Sequence, residues 1–181
     1  WYHIAAVRIG TTFKLFVNGN QVATTTNSSA LYNATNALTI GSESNTPTQY
    51  FNGYIDDLRI SKGVARYPYN FTPPTAEFPN IGGTVTLTAD PYFDYTTLLL
   101  PGNGTNGAQN NTFLDSSTNA FTITRNGNTT QGSFSPYGSN WSNYFDGDGD
   151  YLSVPSNLAF AFGTGDFTVE LWIYQTVSSV S

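Results

Sequence analysis

The residues that could do chemistry in this 181-residue chain are mostly carboxylates, and one group of them is closely spaced. Asp146, Asp148 and Asp150 alternate with glycine in FDGDGDYL, as the first ligands of an EF-hand calcium loop alternate with other residues. Tyr151 stands where that loop needs glycine, and Asn157 stands where it needs a bidentate glutamate. The segment is therefore not an EF-hand, and two interpretations remain: a set of calcium ligands, or a glycine-rich hairpin with solvated carboxylates.

Asp115 is a second carboxylate whose surroundings suit calcium. It lies in FLDSSTNAF together with Asn119, and side-chain oxygens from two such residues within one loop can bind a calcium ion. The alternative is an Asx turn, in which the Asp115 side chain accepts hydrogen bonds from the backbone that follows it. Calcium is the one cofactor that these patterns suggest.

Asp56 and Asp57 are neighbours within a strand-like segment. Successive side chains of a strand point to opposite faces, so we expect one carboxylate to be buried and the other to be a surface charge. A buried Asp56 needs a compensating group. That group is either a metal ion or an arginine, and Arg8 and Arg59 are the slightly favoured candidates.

Catalytic patterns are weak. His3 is the only histidine and alternates within an apolar strand pattern, which is more typical of a packed or edge residue than of a general base. Asp166 and Glu170 lie on one strand-like segment, but four strand residues separate them by about 13 Å, beyond the roughly 5–9.5 Å of glycosidase pairs. The chain has no cysteine, which excludes thiol catalysis. From these three observations together, the sequence predicts no catalytic residues and a protein that is not an enzyme.

Aromatic residues with polar neighbours are stronger candidates for function. Flat rings stack on sugar faces while nearby amides and hydroxyls hydrogen-bond the sugar rims. The candidate glycan-binding residues are Tyr137, Trp141 and Tyr144 in one stretch and Tyr67 with Tyr69 in another. The alternative is that these rings pin loops to the protein core.

Composition and charge exclude several classes of partner. The formal net charge is −6, and the six basic residues are scattered, whereas nucleic-acid binding needs clustered lysine and arginine. No apolar run approaches the roughly 18 residues of a membrane span. Charged residues make up 10% of the chain, against about 25% in typical soluble domains, so asparagine, threonine and serine must cover the surface. This habit favours an extracellular or virion-surface protein.

The dominant period of the sequence is two, which predicts an all-β protein. Asn18-Gly19-Asn20 predicts a tight hairpin between FKLFV and QVATT. After Ser61 the alternation fails, and FTPPTAEFPNIGG predicts an extended connector and a domain boundary. The predicted strands are 1–8, 13–17, 21–25, 37–40, 51–60, 84–88, 96–100, 120–124, 142–145, 151–154 and 167–174. A two-layer antiparallel sandwich is the economical way to bury so many half-apolar strands.

Two sets of longer strings carry a resemblance to a known domain. The first set is WYHIAAVR, LFVNGNQV, LTIGS, FNGYIDDLRISKGVARY and FTPPTAEFP, and the second is LLLPGNGTNG, FLDSSTNAFTIT, YFDGDGDYLSVP and FAFGTGDFTVELWIY. The first set resembles the second half of a laminin-G-like jelly roll of the concanavalin A-like lectin/glucanase superfamily, and the second set resembles the first half of another copy. The resemblance implies a β-sandwich that occurs in tandem in phage tail, virion and bacterial surface proteins. Such domains are commonly non-catalytic and are often attributed to glycan or cell-surface adhesion.

The order of these halves predicts the domain organisation. The family's middle strands, expected between a segment like FTVELWIY and one like WYHIAAVR, are missing. We therefore expect residues 1–79 to be the C-terminal half of one sandwich with its Pro-rich connector, and residues 80–181 to be the N-terminal half of the next. The alternative is one permuted sandwich formed by both halves, within one chain or completed by a neighbouring subunit.

Together these patterns predict a non-catalytic structural and adhesive repeat of an extracellular fibre or virion appendage. Its expected partners are neighbouring copies of itself and cell-surface glycans. The alternative is a carbohydrate-binding accessory module of a polysaccharide-degrading enzyme. Such a module usually hangs from a flexible linker, whereas the connector here is stiffened by proline, which favours the fibre. Low surface charge leaves sheet edges unprotected, so we expect self-association.

Overall fold

The structure is a computed structural model that describes residues 1–33, 35–43, 48–80, 89–103, 112–138 and 141–176. The strands are β1 (Tyr2–Ile9), β2 (Thr12–Val17), β3 (Asn20–Thr26), β4 (Leu38–Ile40), β5 (Asn52–Lys62), β6 (Thr96–Leu100), β7 (Thr124–Asn126), β8 (Thr130–Gly132), β9 (Ser142–Asp146), β10 (Tyr151–Val154) and β11 (Phe167–Gln175). Two single-turn 3-10 helices, Phe93–Tyr95 and Leu158–Phe160, join them. None of the helices in these ranges is long and apolar enough to cross a membrane.

The strands form two antiparallel sheets, which confirms the predicted β-sandwich. The larger sheet has the order β3-β2-β1-β11-β5-β9-β8, and β6 also pairs with β5. The smaller sheet has the order β4-β10-β7. β9 and β6 share one edge of β5, with β9 opposite Asn52–Ile55 and β6 opposite Leu58–Ser61.

The core lies between the two sheets. Ile55, Leu58 and Ile60 of β5 pack against Leu152 and Ile40 of the smaller sheet. Alternate residues of β11 approach this core from the same side. We call this side of the larger sheet its inner face and the opposite side its outer face.

The β2–β3 hairpin is where the sequence predicts it. Asn18 and Gly19 both have positive φ, 48° and 76°, as a two-residue hairpin turn requires. Gly19 has a second reason to be glycine, because a Cβ there would collide with the backbone carbonyl of Phe71. Phe71 donates its N–H to the Gly19 carbonyl at 3.0 Å, so the turn is fixed by the connector.

The Pro-rich segment packs on the larger sheet, whereas the sequence predicted an extended connector. β5 continues through Lys62, and residues 63–80, which we call the connector from here on, fold back over the outer face of the larger sheet. Tyr67 and Phe71 stack with ring centroids 3.6 Å apart and pack with Ala5 and Phe16. The connector therefore forms a second, smaller core on the outer face, because apolar side chains of β1 and β2 must be buried there.

Strands of the two predicted halves pair with one another. β1 pairs with β11, β11 with β5, and β5 with both β6 and β9, so residues from both sides of position 80 alternate within the larger sheet. The assignment of residues 1–79 and 80–181 to successive sandwiches of a longer chain stays a prediction, and so does the alternative of one permuted sandwich.

The predicted strand 84–88 lies outside the described residues. The predicted strand 120–124 differs from the structure. In the segment 120–124, Ala120 has a positive φ of 47°, and Thr122 makes an isolated bridge to Leu114. The regular strand there begins only at Thr124.

Candidate functional site

Five aromatic side chains gather on the outer face of the larger sheet, beyond the part that the connector covers. Tyr54 of β5 lies directly opposite Tyr144 on β9 and opposite Tyr174 on β11. Side chains of directly opposite strand residues lie on the same face, so the three rings form a row across three strands. Trp1 and Phe134 pack on this row, and we call the five residues the aromatic platform.

The rings of the platform are in mutual contact. Trp1 and Phe134 are stacked at 5.2 Å between centroids, and Phe134 meets Tyr54 at 4.9 Å and Tyr174 at 4.8 Å. Tyr54 and Tyr144 are 4.9 Å apart. These spacings are in the range of favourable aromatic pairs. Because each ring braces the next, the platform is a rigid surface.

The platform is accessible and uncharged. Phe134 is 40% exposed and Tyr174 is 39% exposed, while Trp1, Tyr54 and Tyr144 are half-buried. Burial, and then the neighbouring Tyr144 and Tyr174, raises the pKa of Tyr54. The Tyr54 hydroxyl therefore stays protonated at physiological pH and keeps its capacity to donate a hydrogen bond.

The structure brings one of the five predicted glycan-binding residues into this platform, Tyr144. Tyr137 donates its hydroxyl to Asp57 Oδ2 at 3.1 Å, and Trp141 is half-buried just before β9. Tyr67 points inward and donates to Glu170 Oε2 at 2.6 Å. Tyr69 is 77% exposed, with Lys14 Nζ 5.5 Å from the centre of its ring.

Sequence reasoning missed the other four members of the platform. Tyr54 and Tyr174 each occupy an outward position of an alternating strand, so a signal was present in the period of two. What the sequence does not show is the register that places these strands side by side. Trp1 and Phe134 lie just outside strands and carry no periodic signal.

A buried polar network lies beneath the connector, with Glu170 at its centre. Arg59 donates to Glu170 Oε1 from Nε at 2.9 Å and from a terminal nitrogen at 2.7 Å. Tyr67 bonds the other carboxylate oxygen, and His3 Nε2 lies 3.5 Å from it. Burial alone would raise the pKa of Glu170, but the Arg59 charge, the nearby His3 ring and the hydrogen bonds of Tyr67 and Arg59 outweigh it, so this pKa is lowered.

The network extends to Asp90. Arg59 donates to Asp90 Oδ2 at 3.1 Å, and Arg66 donates to Asp90 Oδ1 at 3.0 Å. Burial opposes ionisation of Asp90, but its hydrogen bonds and ion pairs with Arg66, followed by Arg59, lower its pKa overall. His3, Glu170 and Asp90 are 0%, 0% and 5% exposed. Buried in this way, the network holds the connector to the sheet and offers no open face to a substrate.

Asp56 and Asp57 differ from the sequence prediction, since neither is a surface charge. Both are fully buried. Asp57 has a φ of 49° at a bulge, where β11 continues from Glu170 opposite Arg59 to Trp172 opposite Asp56. The extra residue breaks the alternation and turns both carboxyl groups into the protein.

The partners of these two carboxyl groups are neutral donors. Asp56 accepts from Ser135 Oγ at 2.9 Å and from the Asp57 N–H at 2.9 Å. Asp57 Oδ2 accepts from the Phe78 N–H at 2.8 Å and from the Tyr137 hydroxyl. Burial raises the pKa of Asp56 to about 8 and that of Asp57 to about 7.

The arginines expected to compensate Asp56 are used elsewhere. Arg8 donates to the carbonyl oxygens of Gly10 at 2.8 Å and Gly163 at 2.9 Å, and Arg59 is bonded to Glu170 and Asp90. The predicted pairing of Asp56 with either arginine is therefore wrong. The β5–β11 register puts Arg59 opposite Glu170 and Asp56 opposite Trp172, so the Arg59 guanidinium meets the Glu170 carboxylate and not that of Asp56.

The oxygens of Asp115 are already occupied by protein donors. Oδ1 accepts from the N–H groups of Leu99 at 3.0 Å and Ser117 at 2.9 Å. Oδ2 accepts from Ser117 Oγ at 2.8 Å and the Phe121 N–H at 2.9 Å. Asn119 donates its Nδ2 to a backbone carbonyl of β6 at 2.9 Å. This geometry fastens the loop to β6 and does not fit a calcium ligand set.

The three carboxylates of FDGDGDYL are arranged in series. Asp148 donates its N–H to Asp146 Oδ1 at 2.8 Å, and Asp146 donates its N–H to Asp150 Oδ2 at 3.0 Å. Asp150 is buried and also accepts from the Asn128 N–H at 2.6 Å, whereas Asp148 is exposed. Among the described residues, no three acidic or histidine side chains converge on a position that could hold a metal ion.

We expect calcium to leave the melting temperature unchanged within about 1 °C, because a ligand stabilises only the state that binds it. The measurement is a thermal melt followed by circular dichroism in excess calcium and in excess EDTA. A rise of more than about 3 °C in calcium, equivalent to roughly 1 kcal/mol, would show that these loops rearrange around the ion. Asp115→Asn and Asp148→Asn would then identify which loop holds it.

Comparison with known proteins gives one match. The family model described as Laminin_G_3, concanavalin A-like lectin/glucanases superfamily, matches residues 1–66, which span β1 to β5 and the start of the connector. Neither the curated proteins nor the solved structures contain a match. The resemblance of residues 80–181 to the first half of such a domain stays a prediction. Residues 1–66 are therefore similar to the concanavalin A-like lectin/glucanase superfamily, and they supply the first five strands of the antiparallel β-sandwich.

Proposed function

We propose that this chain is a non-catalytic adhesive module that binds neutral glycans through the aromatic platform, as a repeat of an extracellular fibre or virion appendage. Laminin-G-like domains are generally non-catalytic. The observation that carries the proposal is the platform itself, in which uncharged and partly exposed rings lie in a row across three strands. Neighbouring strands are about 4.8 Å apart, so the row spans about 10 Å.

The chemistry of the platform favours neutral sugars. Apolar sugar faces stack on aromatic rings, and tyrosine hydroxyls hydrogen-bond the rim. None of the five platform side chains is charged, and the chain as a whole carries −6, so an anionic sugar gains no ion pair with them and meets an unfavourable field.

A glycan array with matched neutral and sialylated oligosaccharides tests this function. We expect retention of neutral glycans, and for the strongest of them the affinity of Tyr174→Ala and Phe134→Ala should fall at least about tenfold, or roughly 1.4 kcal/mol. These two rings are the most exposed of the platform, so their removal least disturbs the fold. Tyr69→Ala is the matched control, because Tyr69 is exposed but lies outside the platform.

Two results would contradict the proposed function. One is an array with no glycan above background, and the other is binding that neither platform variant weakens. Retention on insoluble polysaccharide but not on cell-surface glycans would instead favour the accessory-module function, since a row of rings across strands also suits an extended polymer.

A further inference from the structure

The larger sheet ends in an open edge at β3. Among the described residues β3 pairs only with β2, and every residue from Asn20 to Thr26 is exposed. The Gln21 N–H is used by Asn70 Oδ1 at 2.9 Å. The remaining stretch, Val22–Thr26, presents an unprotected strand to solvent.

This edge lacks the features that usually prevent strand pairing between molecules. Protected edges carry charged side chains, proline or inward-pointing charges. The sequence of β3 is NQVATTT, with no charged residue and no proline. Threonine and valine favour the extended conformation, so the edge is suited to accept another strand.

Charge is distributed so that two copies can approach at this edge. Residues 1–42 contain no aspartate or glutamate, and their only lysine and arginine are Arg8 and Lys14. The formal charge of that part is +2 and that of residues 43–181 is −8, which makes up the chain's −6. Arg8 is buried, and Lys14 Nζ donates to the Pro68 carbonyl at 2.7 Å. The edge strand therefore has no carboxylate of its own that would repel a second copy.

An apolar hollow lies beside the edge. Its volume is about 250 Å³, and its lining includes Ala6, Phe13, Leu15 and Ala23. Leu15 is 39% exposed and lies directly opposite Ala23. Side chains of a strand added at β3 would lie beside this apolar surface on the same face of the sheet and remove part of it from water.

We propose that β3 is the contact between two copies of this chain, which pair antiparallel through Val22–Thr26 about a two-fold axis. A strand edge is self-complementary in this arrangement, because each residue that donates to the partner also receives from it. The inference rests on the fibre-repeat part of the proposed function and on the self-association expected from the sequence, and it names the contact. It does not depend on glycan binding.

Single cysteines test the contact directly, because the chain has no cysteine of its own. The variants are Val22→Cys, Ala23→Cys, Thr24→Cys and Thr25→Cys. We expect mild oxidation to give covalent dimers from one or two of them, because only the residues nearest the two-fold axis lie opposite their own copies in the partner. Tyr32→Cys is the matched control, since Tyr32 is 89% exposed but lies outside β3. We expect Thr24→Lys to raise the dimer dissociation constant in sedimentation equilibrium at least about tenfold.

Cross-linking from β3 no greater than from Tyr32→Cys overturns the contact, whether or not the protein self-associates. An unchanged dimer in Thr24→Lys, with circular dichroism showing an intact fold, also overturns it. The glycan affinity of Thr24→Lys should equal that of the unmodified chain. Absence of glycan binding in both proteins would reject the proposed adhesive function and leave the contact standing.

Discussion

Glu170→Gln is expected to lower the free energy of unfolding by about 3 kcal/mol or more, which corresponds to a fall of roughly 6–12 °C in melting temperature. The substitution keeps the shape of the side chain but removes its charge. Arg59 then loses the carboxylate that it contacts from two nitrogens, at a site where Glu170 is fully buried. Breaking a buried ion pair is costly, and Arg59 would retain one carboxylate partner, Asp90, which it shares with Arg66.

The same variant weakens the attachment of the connector. Tyr67 donates to Glu170 from the connector side, and the Arg59 guanidinium lies 3.6 Å from the ring centre of Phe78. We therefore expect amide hydrogen exchange to rise first in the connector and in β1, before the sheet core. Differential scanning calorimetry measures the main effect, and exchange followed by mass spectrometry locates it.

Asp148→Asn is the control for this prediction, because it removes one carboxylate charge from an exposed position. Surface substitutions of this kind change stability by less than about 0.5 kcal/mol. Equal effects of the two variants would mean that the Glu170 network contributes little to stability. The ion pairs would then determine where the connector lies on the sheet but would add little to the free energy of unfolding.

The sequence predicts local structure here better than it predicts the site. Alternation of apolar and polar residues finds β1, β2, β5 and β11, and Asn18-Gly19 finds the hairpin, because these signals are contained in neighbouring residues. The network depends on Arg59 and Glu170, which are 111 residues apart. Their contact follows from the β5–β11 register, which no local pattern contains.

The bulge at Asp57 shows why the prediction that one of the two neighbouring aspartates is a surface charge was wrong. Local alternation sends Asp56 and Asp57 to opposite faces, but an extra residue opposite β11 turns both inward. The Phe78 N–H of the connector then binds Asp57. A proline-rich segment that resembles a linker in sequence thus donates a hydrogen bond to a buried carboxyl group. The burial of Asp57 and the position of the connector depend on each other, so neither can be predicted alone.

Raising the pH from about 5 to about 8.5 is expected to lower the melting temperature by roughly 10 °C, because it ionises Asp56 and Asp57. Burial holds their folded-state pKa values at about 8 and about 7, above the value near 3.9 of an unfolded aspartate. Between about pH 4 and 8 the folded state thus binds more protons than the unfolded state, and stability falls as pH rises through this window.

Below that window the opposite dependence takes over. The pKa values of Glu170 and Asp90 are lowered in the folded state, so the stability that they contribute is present above their unfolded pKa and is lost as the pH falls through the folded one. The two effects together place the maximum of stability near pH 4, where their opposing slopes cancel. A melting curve at each half unit of pH, at constant ionic strength, measures both limbs.

The variant Asp56→Asn/Asp57→Asn identifies the groups responsible for the basic limb. Asparagine keeps an acceptor oxygen for Ser135 Oγ and for the Phe78 N–H but does not ionise, so we expect the decline between pH 5 and 8.5 to flatten while the acid limb remains. Asp148→Asn should leave both limbs unchanged. If the unmodified chain instead gains stability toward pH 8.5, the two buried acids are ionised with a compensating cation, and metal titrations of the single variants Asp56→Asn and Asp57→Asn would then show which carboxylate binds it.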